Sequence, residues 1–199
     1  LLFRLGGLPV PGVGAVPTRI PPSVQRLLDR LAGNPVAVYD AMWNLILANT
    51  PYDALMGATT AWRGIERNAL WRHLLGPASR TVHTAEEHAD LVAGLVGDLR
   101  MTAARYPSDP RVRRLVDELG AQSPRFAELW ASAEIIPRDD PSRHKVVDHP
   151  SVGRIAVDCD TLVVAGDDLR IMVYSAAPGS EDAERLALAV VLGTQSLVG

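Results

Sequence analysis

Metal chemistry would be sought first in the two imidazoles of His83-Thr84-Ala85-Glu86-Glu87-His88. Zinc ligation from a helix needs both ligands on one face, as in H-E-x-x-H or the mirrored H-x-x-E-H. The spacing here is one residue too long. Five residues of helix turn His88 about 140° away from His83, so the rings are expected to diverge and no metal site is assigned. Thr84-Ala85-Glu86-Glu87 has the spacing of a capping box instead. The single thiol, Cys159, has apolar and acidic neighbours in sequence, which do not favour a thiolate, and it reads as a small buried side chain in a strand. His144 and His149 flank a basic-apolar strand near Asp148 and read as surface or turn histidines rather than general bases. Asp139-Asp140 and Asp167-Asp168 sit in turns flanked by Pro or Gly, where solvated turn chemistry accounts for them. There is no G-x-S-x-G elbow and no Walker loop. No catalytic residue, cofactor or enzyme activity is assigned. The cations of interest are Arg80, after Gly76-Pro77-Ala78-Ser79, and Arg154, beside Gly153, because a guanidinium fork suits a ligand carboxylate.

These groups must be held by elements, and the pattern of elements is split. Pro35–Tyr39 and Leu45–Ala48 are short apolar runs around Asp40, Ala41 and Asn44, which predicts a hairpin. A short helix follows, with Asn49 or Thr50 as N-cap, Pro51 in its first turn and Gly57 as its stop. The middle is helical. Leu70, Trp71, Leu74 and Leu75 share one stripe ending at Gly76-Pro77. His88, Leu91, Leu95, Leu99, Thr102 and Tyr106 recur on one side of the helix that Thr84 starts, which Pro107 ends. Val112, Leu115, Val116 and Leu119 mark another helix. Ser123-Pro124 opens a third with Phe126, Leu129, Trp130 and Ala133 on its stripe, and Trp130 is expected in the core.

The last third changes period. Ile155, Val157 and Cys159 alternate with Arg154, Asp158 and Asp160; Gly166-Asp167-Asp168 supplies a turn, and Leu169–Ser175 returns. Ser180, with Glu181, Asp182 and Glu184 in the first turn, starts a closing apolar helix through Leu192. Strands, helices, strands gives an α+β domain in which the first and last strands pair across an antiparallel sheet. A hairpin running into helices, with a C-terminal β-meander and closing helix, is a PAS-like arrangement, a sheet curled around a small cavity.

Before the hairpin, Val24, Leu27, Leu28 and Leu31 form one helical face behind Pro21-Pro22, ending at Gly33-Asn34. Leu8 to Pro22 is dense in Pro, Gly and Val and is expected to be a semi-extended linker. Leu1–Gly7 looks like the last turns of a helix closed by glycine, and a chain that starts at Leu1 reads as the remainder of a longer polypeptide. The 199 residues, 47% of them hydrophobic, suffice for one well-buried core. A net charge of −3 argues against this segment holding a nucleic-acid backbone by itself. No apolar run approaches the ~18 residues of a membrane span, and the reading is cytoplasmic.

Four stretches in order, PVAVYDAMWNLILAN, RNALWRHLLGPASR, SPRFAELWASAEI and HPSVGRIAVDCDTLVVAGDDLRIMVYSAAPGS, resemble the ligand-binding domain of MmyB-like, XRE-class helix-turn-helix transcription regulators. The resemblance runs from about Pro21 to about Leu192. It implies a PAS-like fold, an apolar pocket that accommodates a fatty acid in at least one member, and an upstream DNA-binding domain. On that basis residues 1–7 are the remnant of the last helix of such a domain, 8–20 a linker, and 21–199 the ligand-binding domain. The chain departs from the family pattern at Ala133-Glu134-Ile135, at His88, where Trp is common, and at Cys159, where Tyr is usual.

The apolar groups facing one another in this scheme are the pocket candidates: Trp43, Leu45, Leu47, Leu70, Trp71, Leu74, Phe126, Trp130, Ile155, Val157, Ile171 and Val173, with Arg80 and Arg154 at a polar end. Two functions stay open. One is a sensor that takes a small apolar or amphiphilic molecule and repositions DNA-binding domains, as a homodimer or otherwise. The other is a protein interaction or dimerisation module with a filled core.

Overall fold

The computed structural model describes residues 14–132 and 144–195. Leu1–Gly7, the first half of the expected linker, Ala133-Glu134-Ile135 and the Asp139-Asp140 turn lie outside them. The described chain runs α1 (Pro22–Arg30), β1 (Val36–Tyr39), β2 (Leu45–Ala48), α2 (Thr50–Met56), a 3-10 turn (Gly64–Arg67), α3 (Ala69–Leu74), β3 (Thr81–Val82), α4 (Ala85–Arg105), α5 (Pro110–Gln122), α6 (Pro124–Ala131), β4 (His144–His149), β5 (Gly153–Val164), β6 (Leu169–Ser175) and α7 (Glu181–Gln195). The two-residue β3 had no signal of its own.

The strands form one antiparallel sheet in the order β2-β1-β6-β5-β4-β3. The first and last strands pair, β1 with β6, Val36 opposite Val173 and Val38 opposite Ile171, as the split order of strands required. The result is the expected α+β, PAS-like architecture with a curled sheet.

Local chemistry sets the element ends. The Asn49 side chain accepts the Tyr52 N–H and starts α2, and Gly57, at φ 97, closes it. At the start of α4, the Thr84 hydroxyl accepts the Glu87 N–H while the Glu87 carboxylate accepts the Thr84 N–H. These are the capping signals seen in the sequence.

The period of two in the strands divides the core. Ala37, Tyr39, Met172, Tyr174, Ile155, Val157 and Cys159 face the helices in the main core. Val36, Val38, Leu169 and Ile171 face the other way and are covered by Val24 and Leu28 of α1. The first helix therefore covers the outer face of the sheet over β1 and β6, while most outward residues of β5 stay exposed. Leu27, expected on its apolar face, is exposed.

The described part of the linker is irregular but not detached. Val16 is 2% exposed and joins the main core. Its N–H donates to Asp109 Oδ2 at 2.8 Å and its carbonyl accepts from Arg111 at 2.7 Å. Gly193 brings α7 against α2 so closely that a Cβ there would lie 2.2 Å from the Ala54 Cβ.

Candidate ligand-binding site

The hairpin between β1 and β2 places the site's central indole. Asp40 Oδ1 accepts the N–H groups of Met42 and Asn44 at 2.8 and 2.9 Å, and Oδ2 accepts from the Asn44 amide at 3.0 Å. Asn68 donates to the Met42 carbonyl and to Asn44 Oδ1, both at 2.9 Å. This network holds Trp43 at φ 63, a left-handed conformation that costs a bulky residue roughly 1–3 kcal/mol. The indole N–H reaches Asp98 Oδ2 at 3.2 Å, and the Arg170 guanidinium lies 4.7 Å from the ring centroid.

Trp43 forms part of the wall of a cavity of about 230 Å³, which lies among β1, β6, α2, α3, α4 and the 77–83 segment. Three phenols also line it. The Tyr39 and Tyr52 hydroxyls are 3.4 Å apart, and the Tyr52 and Tyr174 rings meet edge to face at 5.8 Å. Burial raises the pKa of all three, so they are neutral hydrogen-bond donors at ordinary pH. Met56, Trp62, Ala69, Leu91, Leu95 and Met172 supply apolar wall. The polar groups are Arg72, His73, Ser79, Arg80, Thr81, His83 and Lys145, and among the described residues no carboxylate lines the cavity.

Each cation is differently engaged. Arg80 Nη1 donates to the carbonyls of Ala54 and Leu55, both at 3.0 Å, at the C-terminal end of α2. Arg72 lies over the Trp62 ring at 3.6 Å. The Lys145 ammonium is 5.6 Å from the centroid of the Tyr174 ring. His73, His83 and His88 gather beside them, with ring centroids 5.7 to 6.3 Å apart. Burial first, then the neighbouring His88 and His83, lower the His73 pKa to about 3. His83 is lowered by burial and then by Lys145.

The expectation that His83 and His88 diverge fails because His83 precedes the N-cap Thr84 and does not share the helix of His88. Helical rotation does not apply to it. Among the described residues, even so, no group of three His, Cys, Asp or Glu side chains is arranged to hold a metal ion. His149 also departs from its surface reading. It is buried, its Nδ1 accepts the Ser151 N–H, and its Nε2 meets the Ala54 carbonyl at 3.0 Å.

Of the pocket candidates from sequence, the cavity brings together Trp43 and Arg80. Leu45, Leu70, Phe126, Ile155 and Val157 are in the main core, and Leu74 packs against it. Trp71 is half-buried and donates to Gln122 at 3.3 Å, while Trp130 is half-buried on Phe126. Leu47, Ile171 and Val173 are on the outer face beneath α1, one strand position out of phase with Met172 and Tyr174. Arg154 is exposed at the start of β5, where its carbonyl accepts from Arg185, and it does not line the cavity. The alternation of β6 separates Met172 and Tyr174 from Ile171 and Val173, but both faces are apolar and the sequence does not say which one turns to the cavity. Nothing in the spacing identified Lys145, Arg72 or His73.

A second groove, about 450 Å³ and wide open to solvent, lies between the hairpin and α5. Its arginines Arg67, Arg111 and Arg114 face Asp40 and Glu118 there, so it carries charge of both signs.

The family model for the MmyB-like transcription regulator ligand binding domain matches residues 20–189. No curated protein matches the chain.

Proposed function

The chain belongs to the MmyB-like transcription regulator ligand-binding domain family, and from that premise we propose that its cavity is an effector site for a small apolar or amphiphilic molecule, such as a fatty acid. Occupancy is relayed to a DNA-binding domain through the segment that leads into α1. That family is a regulatory one rather than an enzyme family, and among the described residues no helix is long and apolar enough to cross a membrane.

The observation that carries this reading is a single one. A cavity of about 230 Å³ has aromatic and aliphatic walls, with cations and imidazoles but, among the described residues, no carboxylate around it. Such a lining favours a molecule with an apolar body and an acidic end. Arg80, at the foot of α2, is one contact for that end.

A ligand that binds only the folded state raises stability by RT ln(1 + [L]/Kd), about 2.7 kcal/mol at a hundredfold excess over Kd. Thermal shift assays with a series of acids therefore test the proposal. Arg80→Ala weakens an acid more than its methyl ester. Melting midpoints unmoved by every acid at saturation would contradict it.

The alternative, a dimerisation or interaction module, is favoured by one observation. Leu188 and Val191 expose half their surface on the side of α7 away from α2. Sedimentation of wild type against Leu188→Lys, Val191→Lys distinguishes a self-associating face from a solvated one.

A further inference from the structure

We propose that Lys145 is the charge-selecting residue of this cavity, and that the ligand it selects is a compact monocarboxylate carrying a ring. This rests on the effector-site reading above and narrows it.

Three observations converge. The first is the state of the cations. Arg80 is already donating to two backbone carbonyls, and Arg72 is stacked on Trp62. Lys145 reaches in from the sheet side, its ammonium resting over the Tyr174 ring, and it pairs with no carboxylate of the described residues. Arg80 has only Nη1 engaged and Arg72 has a ring contact, whereas the Lys145 ammonium, partly removed from water and paired with no carboxylate of the described residues, is a compact charge with three donors to offer an incoming carboxylate. Lys145 also belongs to β4, so the sheet places its side chain rather than a loop.

The second observation is size. A dry cavity of about 150 Å³ holds one benzene ring. By that measure about 230 Å³ holds a body on the order of nine heavy atoms, a ring with a short acid arm, before a ligand must extend through the mouth.

The third is the character of the rest of the lining. Tyr39 and Tyr52 share one 3.4 Å contact between two hydroxyls. Only one of their two protons is used in it. The other is available to an acceptor on the ligand, and Trp43, Trp62 and the phenol rings offer faces and edges for an arene to pack on. A methyl-terminated chain uses neither feature.

The experiment is isothermal titration of the whole chain with phenylacetate, 4-hydroxyphenylacetate, phenylacetamide and palmitate, on wild type, Lys145→Met, Lys145→Arg and Arg80→Ala. Met keeps the aliphatic stem over Tyr174 and removes the charge; Arg keeps the charge. Thermal melts of the unliganded variants establish that each is folded. The expected result is that the ring acids bind wild type about tenfold to a hundredfold tighter than the amide. That preference falls about tenfold in Lys145→Met, more than in Arg80→Ala, and returns in Lys145→Arg. Equal binding of acid and amide by wild type, or an acid preference undiminished in Lys145→Met, overturns the role of Lys145 and leaves the effector site standing. Tighter binding of palmitate than of either ring acid overturns the ligand class. Failure of both ring acids to bind wild type overturns this inference, and the effector-site reading is then decided separately by the melting assay with the wider acid series.

Discussion

Val16 and Asp109, 93 residues apart in sequence, are joined by a 2.8 Å hydrogen bond from the Val16 N–H to the Asp109 carboxylate. The same carboxylate caps α5 by accepting the Arg111 N–H and forms an ion pair with the Arg111 side chain. Its pKa falls to about 2, chiefly through the Arg111 hydrogen bond. One side chain thus starts a helix and fastens the segment that leads into the domain.

Asp109→Asn keeps a capping side chain but loses the charge-assisted pair, and it is expected to cost ~1–2 kcal/mol. Hydrogen exchange checks the local consequence. The Val16 amide is protected in wild type, and that protection drops in the variant while the β1 and β6 amides stay slow. Because the folded carboxyl is depressed below its unfolded value of about 4, the stability it contributes is present above pH 4. It is lost as pH falls toward 2.

His73 sets the behaviour at milder acidity. Burial, then His88, His83, Lys145 and Arg72, hold its folded pKa near 3, whereas an unfolded imidazole titrates near ~6.5. Between these values the unfolded chain binds more protons, so stability is full above about pH 6.5 and declines as pH falls toward 3. At pH 5 the loss from this group is roughly 2 kcal/mol. Urea unfolding of wild type and His73→Gln at pH 7 and pH 5 reads it directly, and the variant is expected to show a smaller difference between the two.

The α6 stripe makes a third test. Phe126 is fully buried and stacks on Trp130 with centroids 5.6 Å apart and planes at 17°. Phe126→Ala is expected to cost ~3–5 kcal/mol as a truncation in a packed site. Trp130→Ala, which removes a half-buried ring, is expected to cost about half of that. Denaturant midpoints for the pair decide the order.

The frame of this domain was readable in advance because its signals are local. Asn49, Gly57 and the Thr84–Glu87 box act within one helical turn, and the alternation of β5 and β6 needs only neighbours in sequence. The pairing of β1 with β6 followed from the strand order alone. The cavity was less readable because its lining is chosen by tertiary phase. Tyr174 meets Lys145 only after β4, β5 and β6 are in register. His73 and His83 approach only because the segment after α3 turns back before α4 begins. Trp130 and Trp71 were over-read for the opposite reason. An aromatic residue on a helical stripe signals a core, but short helices such as α3 and α6 bury one side chain fully and leave the next at the rim.

Native mass spectrometry of the protein purified from its own kind of cell, followed by extraction and identification of any adduct, tests the central claim most directly. The control is Ala69→Phe, a substitution into the cavity wall at the first turn of α3. The effector-site account predicts a low-mass acidic adduct on wild type. The adduct is absent from Ala69→Phe, whose unliganded melting midpoint stays within a few degrees of wild type. A wild-type chain that carries no adduct and acquires none from added acids, or an adduct retained undiminished by Ala69→Phe, would contradict the account.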